Sequence, residues 1–308
     1  MTGVLEGFGI IAAVIFAGYL VGRVGLLGDG GRHVWNRSVF FVALPCLLFS
    51  LLATAPRADL LSPIVVIGVC AALTTATIWV LIGRFLLRRN LGELVIGALG
   101  SAYVNSNNIG LPVATYVLGN AAAVAPIIVM QLVLFVPTAM ILLERFALGE
   151  QASLARTALA AIRNPLVIAS VAGTTFSITG IRLPTFVLEP FSLIGGAAVP
   201  LMLMSFGLSL SGARPLRGGS GRRDVLVVSA LKSVVMPFAA WLFGSFVFHV
   251  DSHLLHQAVV ISALPAAQNV ANYADRFGVA ESRARDIVLL TAVLAVPVLL
   301  LVSAFWSA

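Results

Sequence analysis

Lysine occurs once in 308 residues, at position 232, and charged side chains of both signs make up only 10% of the chain. Soluble domains carry about a quarter charged residues, so a soluble globular fold is excluded. Cysteine is limited to Cys46 and Cys70. Both fall in apolar segments without metal-ligand spacing, which excludes a disulfide framework and leaves them as packing residues. The glycine-rich stretch 217–221 lacks the GK[ST] ending of a phosphate-binding loop and reads as a flexible connection, so no nucleotide-driven pump is encoded. The apolar segments hold no paired aspartates, no His/Glu metal motif and no Ser/His arrangement, which argues against an intramembrane enzyme. His249, His253 and His256, with Asp251, read as surface residues at a helix end, and neither metal nor cofactor is expected.

What is abundant is hydrocarbon: 60% of the residues are apolar. Runs long enough to cross a bilayer, roughly 20 helical residues, lie near 3–23, 34–53, 60–86, 92–118, 121–146, 165–180, 186–210, 225–248, 254–275 and 286–306. These are ten candidate spans of an all-α integral membrane protein. The first has no basic leader or small-residue cleavage site and reads as a span, not a signal peptide. The formal charge of +7 does not indicate nucleic acid, because its distribution is topological. Sixteen arginines fall on the odd-numbered connections and only Arg57 and Arg182 on the even ones. By the positive-inside bias the odd connections face the cytoplasm and both termini face outward, in a multi-pass protein of the cytoplasmic membrane.

The halves resemble each other. Ala43–Ser50 in span 2 matches Ala198–Ser205 in span 7 with the proline in register, and Ile127–Pro137 in span 5 matches Ile287–Pro297 in span 10. Both pairs are five spans apart. Two copies with an odd number of spans insert upside down relative to one another, the inverted-repeat plan of many secondary transporters. The expected division is a first five-helix repeat over 1–146, a cytoplasmic linker over 147–164 and a second repeat over 165–308.

Such carriers bind their cargo near the midplane, where paired spans are broken. In span 4, Asn105, Ser106, Asn107 and Asn108 precede Gly110 and Pro112. Glycine tolerates nonhelical torsions and proline removes a backbone donor, so the helix is expected to open there. In span 9, Pro265 precedes Gln268, Asn269, Asn272 and Tyr273. An open backbone in lipid is costly and must face protein or a water-filled cavity, where amide side chains can satisfy it or a solute. The alternative is that these polar groups only tie helices together.

Lys232 lies about nine residues past Arg223, roughly 14 Å into the membrane. An intramembrane cation is a functional candidate, either as counter-charge to an anionic substrate or as a fixed charge in place of a coupling cation. Its stem could also carry the amine toward the cytoplasm. Gly3/Gly7 and Gly18/Gly22 have a spacing that suits close helix packing more than a dedicated dimer seam.

The duplication, the Ala-Leu-Pro of span 2, Asn107-Asn108-Ile-Gly-Leu-Pro-Val in span 4 and Leu264-Pro-Ala-Ala-Gln-Asn in span 9 resemble the auxin efflux carrier family, whose bacterial members include malonate-transporter-like proteins. The resemblance implies ten helices in a 5+5 inverted repeat, with spans 4 and 9 crossing as broken helices. It also implies a scaffold domain (spans 1, 2, 6 and 7) and a transport domain (spans 3–5 and 8–10) that moves like an elevator, and organic anions, usually carboxylates, as substrates. Unlike the plant carriers, this chain has no long central loop, has Val104 before its asparagines and lacks a second proline after Pro265, which argues against auxin itself. The binding residues expected are Asn105, Asn107, Asn108, Gln131, Lys232, Gln268, Asn269, Asn272 and Tyr273, with Gly110, Pro112 and Pro265 as helix breaks. The partners are a small carboxylate and the lipid bilayer, with a homodimer as one option. A sodium-coupled symporter of the bile acid carrier type and, from other classes, an intramembrane enzyme or a receptor are the alternative readings.

Overall fold

The computed structural model describes residues 2–28, 30–56, 62–148, 163–211 and 221–307. Most of the expected 147–164 linker and of the 217–221 stretch lies outside these, as do Arg57, Arg156, Arg214 and Arg217. Among the described residues there is no strand, only an isolated antiparallel bridge between Val104 and Ala266. The protein is all-helical, with α1 at Thr2–Val24, α2 at His33–Thr54, α3 at Ile64–Leu86 and α4 at Leu91–Ala102. Then come α5 at Leu111–Tyr116, α6 at Ala121–Ala147, α7 at Pro165–Thr179 and α8 at Thr185–Leu208. The last four are α9 at Arg222–Val247, α10 at Ser252–Ser262, α11 at Asn269–Phe277 and α12 at Glu281–Ser307.

Six of these helices, α2, α3, α6, α8, α9 and α12, are long and apolar enough to cross a bilayer. Together with the shorter apolar helices they make this an integral membrane protein. Every apolar stretch marked in the sequence is helical. The stretches 92–118 and 254–275 are each divided into two shorter helices, α4 with α5 and α10 with α11.

Packing gathers the helices into two sets. In one, α1 lies along the second half of α8, and the second half of α2 is clasped by α7 and the first half of α8. Glycines permit that closeness. A Cβ on Gly18 would meet the Met204 backbone, one on Gly207 the Ile15 carbonyl, and one on Gly22 the Ser211 side chain. The Gly18/Gly22 pair therefore serves packing within the chain. Gly207→Ala is expected to cost about 1–3 kcal/mol through overpacking, read as a lower melting temperature in detergent. Gly9→Ala, with nothing within 4 Å, is the matched control and should not lower it.

The second set joins α3, α4, α6, α9, α10, α11 and α12. Its two tight corners have the same construction. After α3, a π turn at Ile82–Leu86 leads to Arg88 at φ 52°, the Arg89 N–H returns to the Gly83 carbonyl, and Asn90 caps α4. After α9, a π turn at Phe243–Val247 leads to His249 at φ 48°, the Val250 N–H returns to the Gly244 carbonyl, and Asp251 caps α10. His256 stacks on Trp306 with ring centroids 5.3 Å apart, a packing role for that histidine.

At the opposite end from the second corner, Asp224 is 3% exposed and pairs with both Arg89 and Arg283, while Arg283 also pairs with Glu93. A carboxylate so buried is tolerable only when paired. The network ties the starts of α4, α9 and α12 into one body.

Candidate functional site

The site forms where the two broken spans cross, and it can be built by asking where each freed backbone group goes. Past α4, Tyr103 and Val104 are extended and the chain turns at Asn105, and past α10, Pro265 cannot donate. The two segments pair antiparallel: the Asn105 N–H donates to the Pro265 carbonyl at 2.8 Å and the Ala267 N–H to the Tyr103 carbonyl at 3.0 Å. The N–H groups between them turn to side chains. Val104 N–H donates to Gln131 Oε1 at 2.8 Å, and Ala266 N–H donates to Thr291 Oγ1 at 3.1 Å.

The carbonyl ends of the first halves are also capped. Thr75 Oγ1 donates to the Ser101 carbonyl at 3.0 Å, and Lys232 Nζ donates to the Ser262 carbonyl at 2.8 Å. Without these partners each group would be an uncompensated polar atom in the membrane interior, at a cost of several kcal/mol.

The opening differs from its expected place. It falls at 103–105, ending on the first asparagine of the cluster, and Gly110 is helical at φ −64°, ψ −48°. The second half starts at Ser106, and a π turn at Ser106–Gly110 leads directly into α5, with Pro112, which has no N–H to continue the regular ladder, just past that turn. Gly110 instead permits close approach, since a Cβ there would lie 2.9 Å from Leu264.

The amides then knit the crossing together. Gln131, 3% exposed, also donates through Nε2 to Ser106 Oγ at 2.7 Å. Asn105 Oδ1 caps the second half of span 4 by accepting from the Asn108 N–H at 3.1 Å. Asn108 Nδ2 reaches across to Gln268 Oε1 at 3.2 Å, and Asn269 hydrogen-bonds the Tyr103 hydroxyl.

Asn105, Asn107, Asn108, Gln131, Gln268 and Asn269 all border a cavity of about 30 Å³ at the crossing. Two buried amide atoms here, Asn105 Nδ2 and Asn107 Oδ1, have no hydrogen-bond partner in the protein. Buried polar atoms without partners are rare, so these call for a ligand or water. Beside it a cleft of about 750 Å³ separates the two helix sets. Asn107, Asn108, Gln268, Asn269 and Asn272 form one wall. The facing wall comes from α2 and α8, including His33, Asn36, Arg37 and Ser205, and Ser205 donates to Asn36.

Two expected binding residues are elsewhere. Lys232 is fully buried between α9 and α10, donates to Met236 Sδ at 3.1 Å as well as to Ser262, and does not line the cleft. It neither snorkels nor faces a solute. Tyr273 packs on the apolar cluster beneath α11. Conversely, Thr291, Asn36, Ser205, His33 and Arg37 were not anticipated. Thr291 was legible in principle, because the alignment of Ile127–Pro137 with Ile287–Pro297 sets it opposite Gln131.

Comparison with known proteins agrees with this architecture. A relative from Rhizobium meliloti (strain 1021), named "Putative malonate transporter", is 28% identical, the match covering 96% of this chain and 92% of the relative. An "Uncharacterized transporter" from Methanothermobacter thermautotrophicus is 30% identical over 75% of this chain and 74% of its own. The "Uncharacterized transporter YfdV" of Escherichia coli (strain K12) is 25% identical over 87% of each. A family model described as membrane transport protein matches residues 8–303, so this chain belongs to that transporter family, the auxin efflux carriers and their relatives, and is not an enzyme.

Proposed function

We propose that the protein is a secondary carrier that moves a small organic anion, a carboxylate, across the cytoplasmic membrane by an elevator-type alternating-access mechanism. The observation that carries this is the unpartnered buried donor Asn105 Nδ2, at the junction of two broken helices beside a cleft lined by the amides of Asn108, Gln268 and Asn269. Both second halves start at this junction. Their N-terminal ends add partial positive charge where a carboxylate would sit. A relative bearing a malonate transporter name agrees with that substrate class.

The 5+5 inverted repeat is supported by paired features. The corners after α3 and α9 match, Gln131 and Thr291 serve equivalent N–H groups, and Thr75 and Lys232 serve equivalent carbonyls. In the elevator reading, α1, α2, α7 and α8 are the scaffold and the other set moves past it. Lys232 acts through α10, whose carbonyl end it caps with a hydrogen bond to Ser262. The cleft opens toward Gly30 and His33 in the connection between α1 and α2. With both termini outside by the arginine distribution, that is the cytoplasmic side, and the conformation is inward-facing.

The test is uptake of radiolabelled malonate and indole-3-acetate into proteoliposomes, with and without a sodium gradient. Sodium-independent malonate flux is expected. Flux that requires sodium would replace this reading with the sodium-coupled one, and flux of neither acid would withdraw the substrate class.

A further inference from the structure

The amide wall of the cleft offers neutral donors, enough for one carboxylate but poor at holding two negative charges. The basic side chains bordering the cleft stand opposite, on α2. His33 and Arg37 are one helical turn apart and so share a face. Arg37 lies over the Phe41 ring, 5.6 Å from its centroid, which orients the guanidinium while leaving its N–H groups available in plane. Among the described residues neither His33 nor Arg37 is in an ion pair. Asp275, near the end of α11, also borders the cleft and repels a second negative group from the amide side.

We propose that His33 and Arg37 form a second anion subsite, so that the cleft selects a dicarboxylate, with one carboxylate on the amides around Asn108 and the other on α2. This rests on the carboxylate-carrier reading and narrows it. Arg37 is then the specificity-determining residue. A monocarboxylate engages only the amides and gains nothing from α2.

The experiment compares wild type, Arg37→Gln and Arg37→Lys in proteoliposomes, measuring the KM for labelled malonate, the flux of labelled butyrate and the inhibition constant of unlabelled butyrate against malonate uptake. Arg37 is exposed, so the variants should fold, and matching elution on size exclusion checks this. Arg37→Gln is expected to raise the malonate KM about tenfold, the size of one lost charged hydrogen bond. Butyrate inhibition should stay unchanged, and Arg37→Lys should recover part of the malonate affinity. An unchanged malonate KM in Arg37→Gln, or equal weakening of malonate and butyrate, overturns the second subsite and leaves the carrier reading standing. A wild type that carries butyrate as well as malonate overturns the selectivity. A wild type that moves neither acid removes the carrier reading and this inference with it.

Discussion

Replacing Gln131 with leucine is expected to abolish transport and to destabilise the protein by roughly 2–6 kcal/mol. The reason is arithmetic on two buried groups. Gln131 is the acceptor for Val104 N–H and the donor to Ser106 Oγ, both within the crossing and out of reach of bulk water. Leucine matches its bulk but leaves Val104 N–H unpartnered and Ser106 Oγ with only its long bond to the Val104 carbonyl, at about 1–3 kcal/mol each. That is a large share of the ~5–15 kcal/mol that typically separates folded from unfolded. Thr291→Val orphans only Ala266 N–H and should cost about half as much. Thermal melting in detergent beside malonate flux tests both. A Gln131→Leu protein with wild-type melting and flux would mean that this amide does not hold the crossing open.

Asn108→Ala should separate binding from folding. Asn108 lines the cleft, is only partly buried and links to Gln268 through a single side-chain bond. Its removal should leave the melting temperature nearly unchanged and raise the carboxylate KM by about 10- to 100-fold, the effect of losing a hydrogen bond to a charged group. Asn108→Asp keeps the shape but places a negative charge against the substrate, so carboxylate flux should vanish. If Asn108→Asp instead retained flux and gained sodium dependence, the amide cluster would be a cation site.

The spans were legible because hydrocarbon thickness demands long apolar runs and the chain has little else. The break in span 4 was misplaced by several residues for a physical reason. Proline and glycine signal where a regular helix is disturbed, but here the helix absorbs Pro112 with a local π turn at Ser106–Gly110 and runs on into α5. The actual break lies in Tyr103-Val104-Asn105, which carries no glycine or proline and is held open by pairing with a segment about 160 residues away. Such pairing leaves no local trace. Lys232 is a similar case: its position promised a charge for the cargo, whereas its reach brings the amine to a backbone carbonyl on the next helix. The α2 face with His33 and Arg37 reads locally as an ordinary basic helix start. It acquires meaning only when the cleft sets it opposite the amides.

The unequal pairs at the crossing bear on which way such a carrier rests. In an inverted repeat, the inward- and outward-facing conformations arise when the two copies exchange shapes, so identical copies would populate both equally. On the proposed inverted-repeat reading, one copy caps its carbonyl with a hydroxyl, Thr75, and the other with the longer amine of Lys232. One serves its amide with a two-handed glutamine, Gln131, and the other with a single-acceptor threonine, Thr291. A mismatch that fits one shape better than the other would bias the balance, and about 1.4 kcal/mol of difference shifts the populations tenfold. Substitutions that make the copies more alike, such as Thr291→Gln, would then act on the idle balance of the carrier more than on its affinity, and would alter the relative speeds of import and export.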